Sequence, residues 1–175
     1  LLIGNGVKQS GCKKLLERFV NIMEIPTVFS MPAFDTLSYD NKYNYGFIGA
    51  NGHRYGNFVL GKADLIICIG SRLDLKQVGN DRSKFASQSN IIRVDIDNNN
   101  FKFAVHEHEI QIQADIKVLL PELLNNISGE FTCSKEWNDV CAQIKKSLEN
   151  YDDEVYTCLL KDFAKEMPDN ISVTL

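Results

Sequence analysis

The sequence predicts an α/β fold built in three layers, with a mainly parallel sheet flanked by helices. Across residues 1–125, segments typical of strands alternate with helices or loops, an order that favours parallel strands joined by right-handed crossovers. The segment Leu65–Ile69 is apolar at every position, as expected for a strand that helices bury on both faces. The length of 175 residues suits one such domain with an appended helical piece.

The first half of the chain alternates between segments that have the lengths typical of strands and helices. Residues 10–23 carry their apolar side chains at helical spacing, whereas the polar stretch 32–45 has no clear period and is interpreted as a loop. The predicted order is strand, helix, strand, loop and helix, over residues 1–3, 10–23, 27–30, 32–45 and 53–62.

The second half continues the alternation and then becomes helical. Residues 110–113 alternate between isoleucine and glutamine, which predicts an edge strand, and Pro168 is expected to end the last helix. Strands are predicted over 65–69, 91–97, 110–113 and 171–175, and helices over 115–125 and, with a break near 150–153, over 135–167. We therefore divide the chain into a nucleotide-binding-like domain (1–125), a polar linker (126–134) and a helical segment (135–175) that leads into a truncated C-terminal domain.

Composition argues against several classes of function. The net charge is −4 and the basic residues are scattered among acidic ones, so nucleic acid is not an expected partner. No apolar run approaches the roughly 20 residues of a membrane helix, so no membrane role is expected. The five cysteines form no CxxC pair and are expected to be reduced, which favours a cytoplasmic location. Cys68, inside an apolar strand, is expected to be a packing residue.

Both ends of the sequence have the composition of strands. The sequence begins with Leu1 rather than methionine, and a natural chain seldom starts and stops inside a strand. We therefore expect a single domain trimmed at its boundaries from a longer enzyme.

Polar and glycine-rich groups follow the predicted strands, at the edge where a parallel sheet binds its ligands. Glycine lets the backbone approach a phosphate, an arginine can pair with it, and two carboxylates at one strand end suit the hydroxyls of a ribose. The candidates are Gly4, Asn5, Gly6, Gly49, Ala50, Asn51, Gly52, Gly70, Arg72, Asp74, Asp95 and Asp97. The full GxGxxG fingerprint is absent. Each group also has a structural interpretation, as a strand-to-helix turn or as a surface contact between Arg72 and Asp74.

No catalytic or metal-binding constellation is predicted. His53, His106 and His108 have no serine or cysteine nucleophile at a recognisable spacing. The segment 106–109, with two histidines and two glutamates, lacks nearby further ligands and is interpreted as a solvated loop rather than a metal site.

A set of motifs occurs in a specific order along residues 1–124. They are GNG (4–6) after the first strand, TVFSMP (27–32), GFIGANG (46–52), ADLIICIGSRLD (63–74), IRVDID (92–97) and QAD (113–115). Together they resemble the central domain of thiamine-diphosphate-dependent enzymes of the acetolactate synthase type. The tail 167–175 is similar to the helix-to-strand start of that family's diphosphate-binding domain.

The resemblance implies a parent enzyme of three α/β domains that decarboxylates a 2-keto acid and ligates the product. Thiamine diphosphate and magnesium would lie between the other two domains, so this chain would carry no catalytic residue and bind no metal on its own. It would hold FAD, as in acetolactate synthase and pyruvate oxidase, or another adenine nucleotide such as ADP. Its partners would be the remaining domains of the same enzyme, assembled as a homodimer or homotetramer.

By resemblance, the nucleotide site comprises the candidates above together with Ser30 and Asp115. Glycine backbones would face phosphate or ribityl groups, and the carboxylates would face ribose or adenine. The sequence departs from the family's pattern at Asn51, where a histidine is usual, and at Lys76, where an arginine is usual. Two alternatives remain open: a vestigial, ligand-free spacer domain in the same kind of enzyme, and a free-standing NAD-binding domain. The NAD-binding alternative predicts an acid at the end of the second strand, where Ser30 and Met31 stand.

Overall fold

A computed structural model describes residues 1–107, 109–127, 132–149 and 162–168. Its centre is a six-stranded sheet, and every neighbouring pair of strands is parallel. The strands are β1 (Leu2–Ile3), β2 (Thr27–Phe29), β3 (Asn44–Phe47), β4 (Leu65–Ile69), β5 (Asn90–Asp95) and β6 (Ile110–Gln113). They lie side by side in the order β3-β2-β1-β4-β5-β6, which is the order of a Rossmann-like sheet.

Helices pack against both faces of this sheet. The α-helices are α1 (Asn5–Gln9), α2 (Lys13–Met23), α3 (Arg54–Lys62), α4 (Leu75–Val78), α5 (Ile116–Asn126) and α6 (Lys135–Leu148), and 3-10 helices span Met31–Thr36, Arg82–Lys84 and Asn98–Lys102. Side chains of α3 and α6 belong to one apolar core, and those of α2 and α5 to a second. The two cores lie on opposite faces of the sheet, so the predicted three-layer α/β fold is confirmed.

The apolar spacing of the sequence explains which faces are buried. Leu16, Phe19 and Val20 recur at helical spacing in α2 and are nearly inaccessible to solvent. Cys68 in β4 is fully buried, and burial raises the pKa of its thiol to about 12. The thiol is therefore neutral and unreactive at physiological pH, which confirms its interpretation as a packing residue.

The structure differs from the sequence prediction over residues 32–45. This stretch is not a plain loop, because it holds most of a 3-10 helix and the start of β3. Asn44 in β3 is buried, and its side-chain amide donates to the carbonyl oxygens of Leu37 (3.3 Å) and Ser38 (3.0 Å) while its Oδ1 accepts from the Gly46 N–H (2.8 Å). Because these bonds satisfy the polar group, a residue typical of loops occupies a buried strand.

The segment after α5 returns to the α/β domain. The backbone N–H of Cys133 donates to the carbonyl oxygen of Met23 (2.8 Å), and Asn138 in α6 donates to the carbonyl oxygen of Glu24 (2.9 Å). Helix α6, which was predicted, packs against α3. The predicted helix break at 150–153 and the predicted strand at 171–175 lie outside the described residues, and the proposed domain boundaries stay a prediction. Within the described ranges, no helix is both long and apolar enough to cross a membrane.

Candidate functional site

A cleft of about 1090 Å³ opens at the carboxyl ends of the strands. The order of strands reverses between β1 and β4, because β2 and β3 extend to one side and β5 and β6 to the other. This is the topological switch point, where open α/β sheets bind their ligands. Typical ligand pockets measure roughly 300–1,000 Å³, so the cleft has room for a ligand larger than a mononucleotide.

Most of the residues predicted from the sequence come together at this cleft. Eleven of the fourteen line it: Asn5, Gly6, Ser30, Ala50, Asn51, Gly70, Arg72, Asp74, Asp95, Asp97 and Asp115. They come from the ends of all six strands, which the topology brings to one edge. Residues that the prediction did not include also line the cleft: Gln9, Ser10, Met31, Pro32, Phe47, Ile48, Ser71, Lys76, Gln77, Ile96, Asn100, Ile116 and Lys117.

The remaining three, Gly4, Gly49 and Gly52, shape the cleft without lining it. A Cβ added to Gly4 would lie 2.0 Å from the carbonyl oxygen of Gly70. At Gly49 a Cβ would lie 2.4 Å from the Lys76 carbonyl oxygen, and at Gly52 it would lie 2.6 Å from the Phe47 carbonyl oxygen. These glycines are needed because backbone segments pack directly against each other, between loops at Gly4 and Gly49 and within one loop at Gly52.

The loop that follows β4 carries an unusual backbone conformation. Leu73 is fully buried and has a φ of +52°, a left-handed conformation that is rare for residues other than glycine. Asp74 then begins α4, and its side chain accepts from the backbone N–H groups of Lys76 (3.0 Å) and Gln77 (3.3 Å). The surface contact between Arg72 and Asp74 does not form, so the guanidinium of Arg72 is exposed at the cleft.

Three further carboxylates at the cleft each make a local hydrogen bond through Oδ1. Asp95 is 7% exposed and accepts from the Asp97 N–H (2.9 Å). Asp97 accepts from the Asn99 N–H (2.9 Å), and Asp115 accepts from the Lys117 N–H at the start of α5 (2.8 Å). A carboxylate has two acceptor oxygens, so each of these groups keeps Oδ2 for a ligand.

Ser30 is the buried polar residue at the end of β2. Its backbone N–H donates to the Ile3 carbonyl oxygen (2.8 Å), but its Oγ has no partner among the described residues. Buried hydroxyls are almost always hydrogen-bonded, so an unpaired one at the wall of a cleft indicates a group supplied by a ligand or by water.

The two halves of the cleft differ in polarity. The half beyond β2 and β3 is lined by the apolar residues Met31, Pro32 and Phe47 together with the polar residues Ser30 and Asn51. The half beyond β5 and β6 presents the carboxylates, and the glycine backbones meet in the middle, where the Gly6 N–H donates to the Gly70 carbonyl oxygen (3.0 Å). This arrangement suits an elongated ligand with a flat apolar end and a polar end rich in hydroxyls or N–H groups.

Sequence reasoning missed Arg93, which lies buried in β5 below the cleft. Its guanidinium pairs with Glu109 (Nη1 to Oε1, 2.9 Å), and both side chains are 1% exposed. The interpretation of 106–109 as a solvated loop is therefore wrong for Glu109. The available signal was a charged residue placed between the apolar residues Ile91, Ile92 and Val94 of β5.

The described residues hold no cluster suited to a metal. Within them, no group of three or more His, Cys, Asp or Glu side chains is placed to bind an ion. The Nε2 of His106 instead lies 2.7 Å from the carbonyl oxygen of Phe85, while His108 lies outside the described residues.

Comparisons with known proteins agree with this architecture. A family model described as "Thiamine pyrophosphate enzyme, central domain" matches residues 1–123. The acetolactate synthase isozyme 2 large subunit of Escherichia coli (strain K12) is 27% identical over 179 aligned positions, covering 99% of this chain and 31% of that protein. Acetolactate synthase 1, chloroplastic, of Zea mays is 30% identical over 153 positions, covering 85% of this chain and 23% of that protein. A probable acetolactate synthase large subunit of Methanococcus aeolicus is 27% identical over 150 positions, covering 86% of this chain and 25% of that protein. The chain thus spans less than a third of the length of these relatives.

Proposed function

Because the chain belongs to the family of thiamine pyrophosphate enzyme central domains, we propose that it holds FAD or ADP in the cleft within an acetolactate synthase-like enzyme. The parent enzyme would decarboxylate a 2-keto acid and ligate the product. Thiamine pyrophosphate (thiamine diphosphate), when bound with magnesium by other domains, supplies the carbanion stabilisation for that chemistry. The role proposed for this chain is to bind and orient a nucleotide.

The observation that carries the proposal is the cleft of about 1090 Å³ at the switch point of the sheet. Its volume and its length across six strand ends favour a dinucleotide such as FAD, while the ADP moiety alone would fill part of it. The unpaired Oγ of Ser30 and the close approach of Gly6 to Gly70 are features that a bound nucleotide would use.

The chemistry of the lining suggests how the nucleotide lies. The diphosphate fits over Gly6 and Gly70, where the backbone can approach closely and the Arg72 guanidinium is exposed to pair with it. The ribose hydroxyls and the adenine amino group fit the carboxylate half, since carboxylates accept hydrogen bonds and would repel phosphate. For FAD, the flavin ring then extends over the apolar half.

A ligand-free spacer domain is the second candidate function. One observation favours it: Asp74, Asp97 and Asp115 already cap local helices, so their presence needs no ligand. The NAD-binding alternative has less support, because Ser30 rather than an acid follows β2.

Titration of the chain with FAD and with ADP tests the proposal. Flavin fluorescence and thermal unfolding are the readouts, since a ligand at 100 times its Kd stabilises a native protein by about 2.7 kcal/mol. Asp95→Asn and Arg72→Ala should weaken binding. Their matched controls lie outside the cleft: Asp81→Asn changes another aspartate that accepts from a nearby backbone N–H, and Arg18→Ala changes an exposed arginine on α2. A folded chain that binds neither nucleotide would favour the spacer domain.

A further inference from the structure

Arg93 joins three separate segments of the chain below the cleft. Its Nη1 donates to the carbonyl oxygen of Phe103 (3.2 Å) and to Glu109 Oε1 (2.9 Å). Its Nη2 donates to the carbonyl oxygens of Arg72 (3.3 Å) and Asn100 (2.9 Å). A guanidinium has five N–H donors, so four are used, and only the Nε donor has no partner among the described residues.

Two of these partners form walls of the cleft. Arg72 lies on the loop after β4 and Asn100 on the 3-10 helix after β5, and both residues line the cleft. Since Arg93 binds both backbones from beneath, its side chain fixes the separation of the two walls. Asp95 is two residues further along the same strand, and it also lines the cleft at the strand end.

The wall formed by Arg72 is under backbone strain. The next residue, Leu73, adopts an unfavourable left-handed conformation, which persists only where the surroundings hold it. The hydrogen bond from Arg93 to the Arg72 carbonyl oxygen and one from Arg82 Nη1 to the Leu73 carbonyl oxygen (3.4 Å) hold it on two sides.

A buried ion pair by itself adds little to the free energy of unfolding. Removing two charges from water is unfavourable, and apolar residues of similar volume are often equally or more stabilising. An apolar side chain at position 93 would have no donors for the Arg72 and Asn100 carbonyl oxygens. The feature that only arginine provides here is the fixed fork of donors that spans both walls.

We propose that Arg93 is a positioning residue for the nucleotide. It holds the backbones of Arg72 and Asn100 at the separation that lets the Arg72 side chain and Asp95 contact the ligand together, and Glu109 balances its charge. The inference rests on the proposed function, because it assigns Arg93 to the same cleft.

Two variants test this role with different risks to folding. Arg93→Lys keeps the charge opposite Glu109, but an ammonium cannot reach four acceptors in a fixed fork. The double variant R93M/E109Q removes both charges, so that no unpaired ion is buried, and keeps an acceptor for the Val105 N–H that now bonds to Glu109 Oε2 (3.0 Å). Val59→Ala is a control for general destabilisation. Val59 is a buried residue of α3 in one apolar core, and it does not line the cleft.

The first readout is ADP affinity, measured well below the unfolding temperature of each variant. We expect both Arg93 variants to bind ADP on the order of tenfold or more weakly, as is typical when a residue that orients ligand-binding groups is lost. Val59→Ala should lose thermal stability but keep its Kd. If the Arg93 variants are folded and keep the wild-type Kd within about twofold, the inference is wrong, because a merely structural role changes unfolding and not affinity.

The second readout needs no nucleotide and separates this inference from the proposed function. Without Arg93 the loop after β4 should open, so trypsin should cut the bond after Arg72 faster in both variants than in wild type or Val59→Ala. If the wild-type protein binds no ADP but trypsin cuts the variants faster, the proposed nucleotide binding is refuted. Arg93 would then still be the residue that holds the loop after β4. Unchanged cutting after Arg72 would refute that role.

Discussion

At the scale of single residues, the contact between Gly4 and Gly70 determines how closely the loops after β1 and β4 approach each other. A Cβ on Gly4 would meet backbone atoms of Gly70 and Ser71 at 2.0–2.4 Å, and backbone cannot rotate away as a side chain can. We therefore expect Gly4→Ala to lower the free energy of unfolding by about 3 kcal/mol or more.

Gly61 is the matched control for this substitution. It lies inside α3, where an added Cβ meets nothing within 4 Å, so Gly61→Ala should stabilise the protein by roughly 0.5–1 kcal/mol. Urea denaturation measures both changes. Equal effects of the two substitutions would show that the close approach at Gly4 is not needed for the fold.

His53 gives a pH dependence that can be assigned to one side chain. Burial lowers the pKa of its imidazole and outweighs the opposing contributions of the Phe47 backbone and the Glu149 carboxylate, while the cation of Lys145 lowers the pKa further. Its Nδ1 accepts from the Phe47 N–H (3.2 Å), which requires an unprotonated nitrogen. The native state thus binds a proton less readily than the unfolded state, so stability should fall as the pH falls through and below the ordinary histidine value of about 6.5.

The expected result is a larger loss of stability between pH 7.5 and 5.5 in wild type than in His53→Gln. Thermal unfolding at the two pH values measures the difference, and an NMR titration should place the pKa of His53 below its usual range. The same loss in both proteins would contradict the assignment to His53.

At the scale of elements, Lys145 of α6 contacts residues of the sheet domain and stabilises the docking of this helix. Its Nζ lies 5.6, 5.8 and 5.6 Å from the ring centres of Tyr39, Tyr45 and Tyr55, and it donates to the Asn44 carbonyl oxygen (3.1 Å). Desolvated cation–π contacts contribute up to about 2 kcal/mol. We therefore expect Lys145→Ala to destabilise the docking of α6 by roughly 1–2 kcal/mol.

Hydrogen exchange of the α6 amides and urea denaturation check this prediction. Lys146 is the neighbouring, exposed lysine of the same helix, and Lys146→Ala should change stability by less than about 0.5 kcal/mol. Matching exchange rates in the two variants would mean that apolar packing alone docks the helix.

The elements that were predicted with nearly their observed bounds are those whose sequences show a regular apolar pattern. Strand β4 is uniformly apolar, β6 alternates, and α2 and α5 have apolar faces, so each was found with nearly its observed bounds. Strand β3 was missed because its four residues, Asn44–Phe47, show no apolar period. The buried Asn44 is satisfied by backbone groups of Leu37, Ser38 and Gly46, and only the folded backbone shows that these groups face its side chain.

The same distinction separates the predicted from the unpredicted parts of the site. Glycines and carboxylates that directly follow strands could be found, since the topology of a parallel sheet gathers strand ends at one edge. The contacts of Arg93 could not be predicted, because its partners Arg72, Asn100 and Glu109 lie 7 to 21 residues away in sequence. Likewise, only the packed structure shows that Gly4 contacts Gly70 rather than the cleft.

At the scale of the whole molecule, the strand order places one continuous cleft across both halves of the sheet. The apolar surface of one half and the carboxylates of the other are separated by the glycine backbones at the switch point. The nucleotide that we propose would extend across both halves of this cleft. The proposed function therefore depends on whether a nucleotide binds in this cleft.

Amide chemical shifts of the chain during titration with ADP test that claim most directly. We expect saturable shifts at Gly6, Gly70 and Asp95, with the amides of α6 unchanged because that helix does not line the cleft. Absence of saturable shifts in a folded chain, or shifts confined to residues outside the cleft, would contradict it and leave the spacer domain as the better explanation.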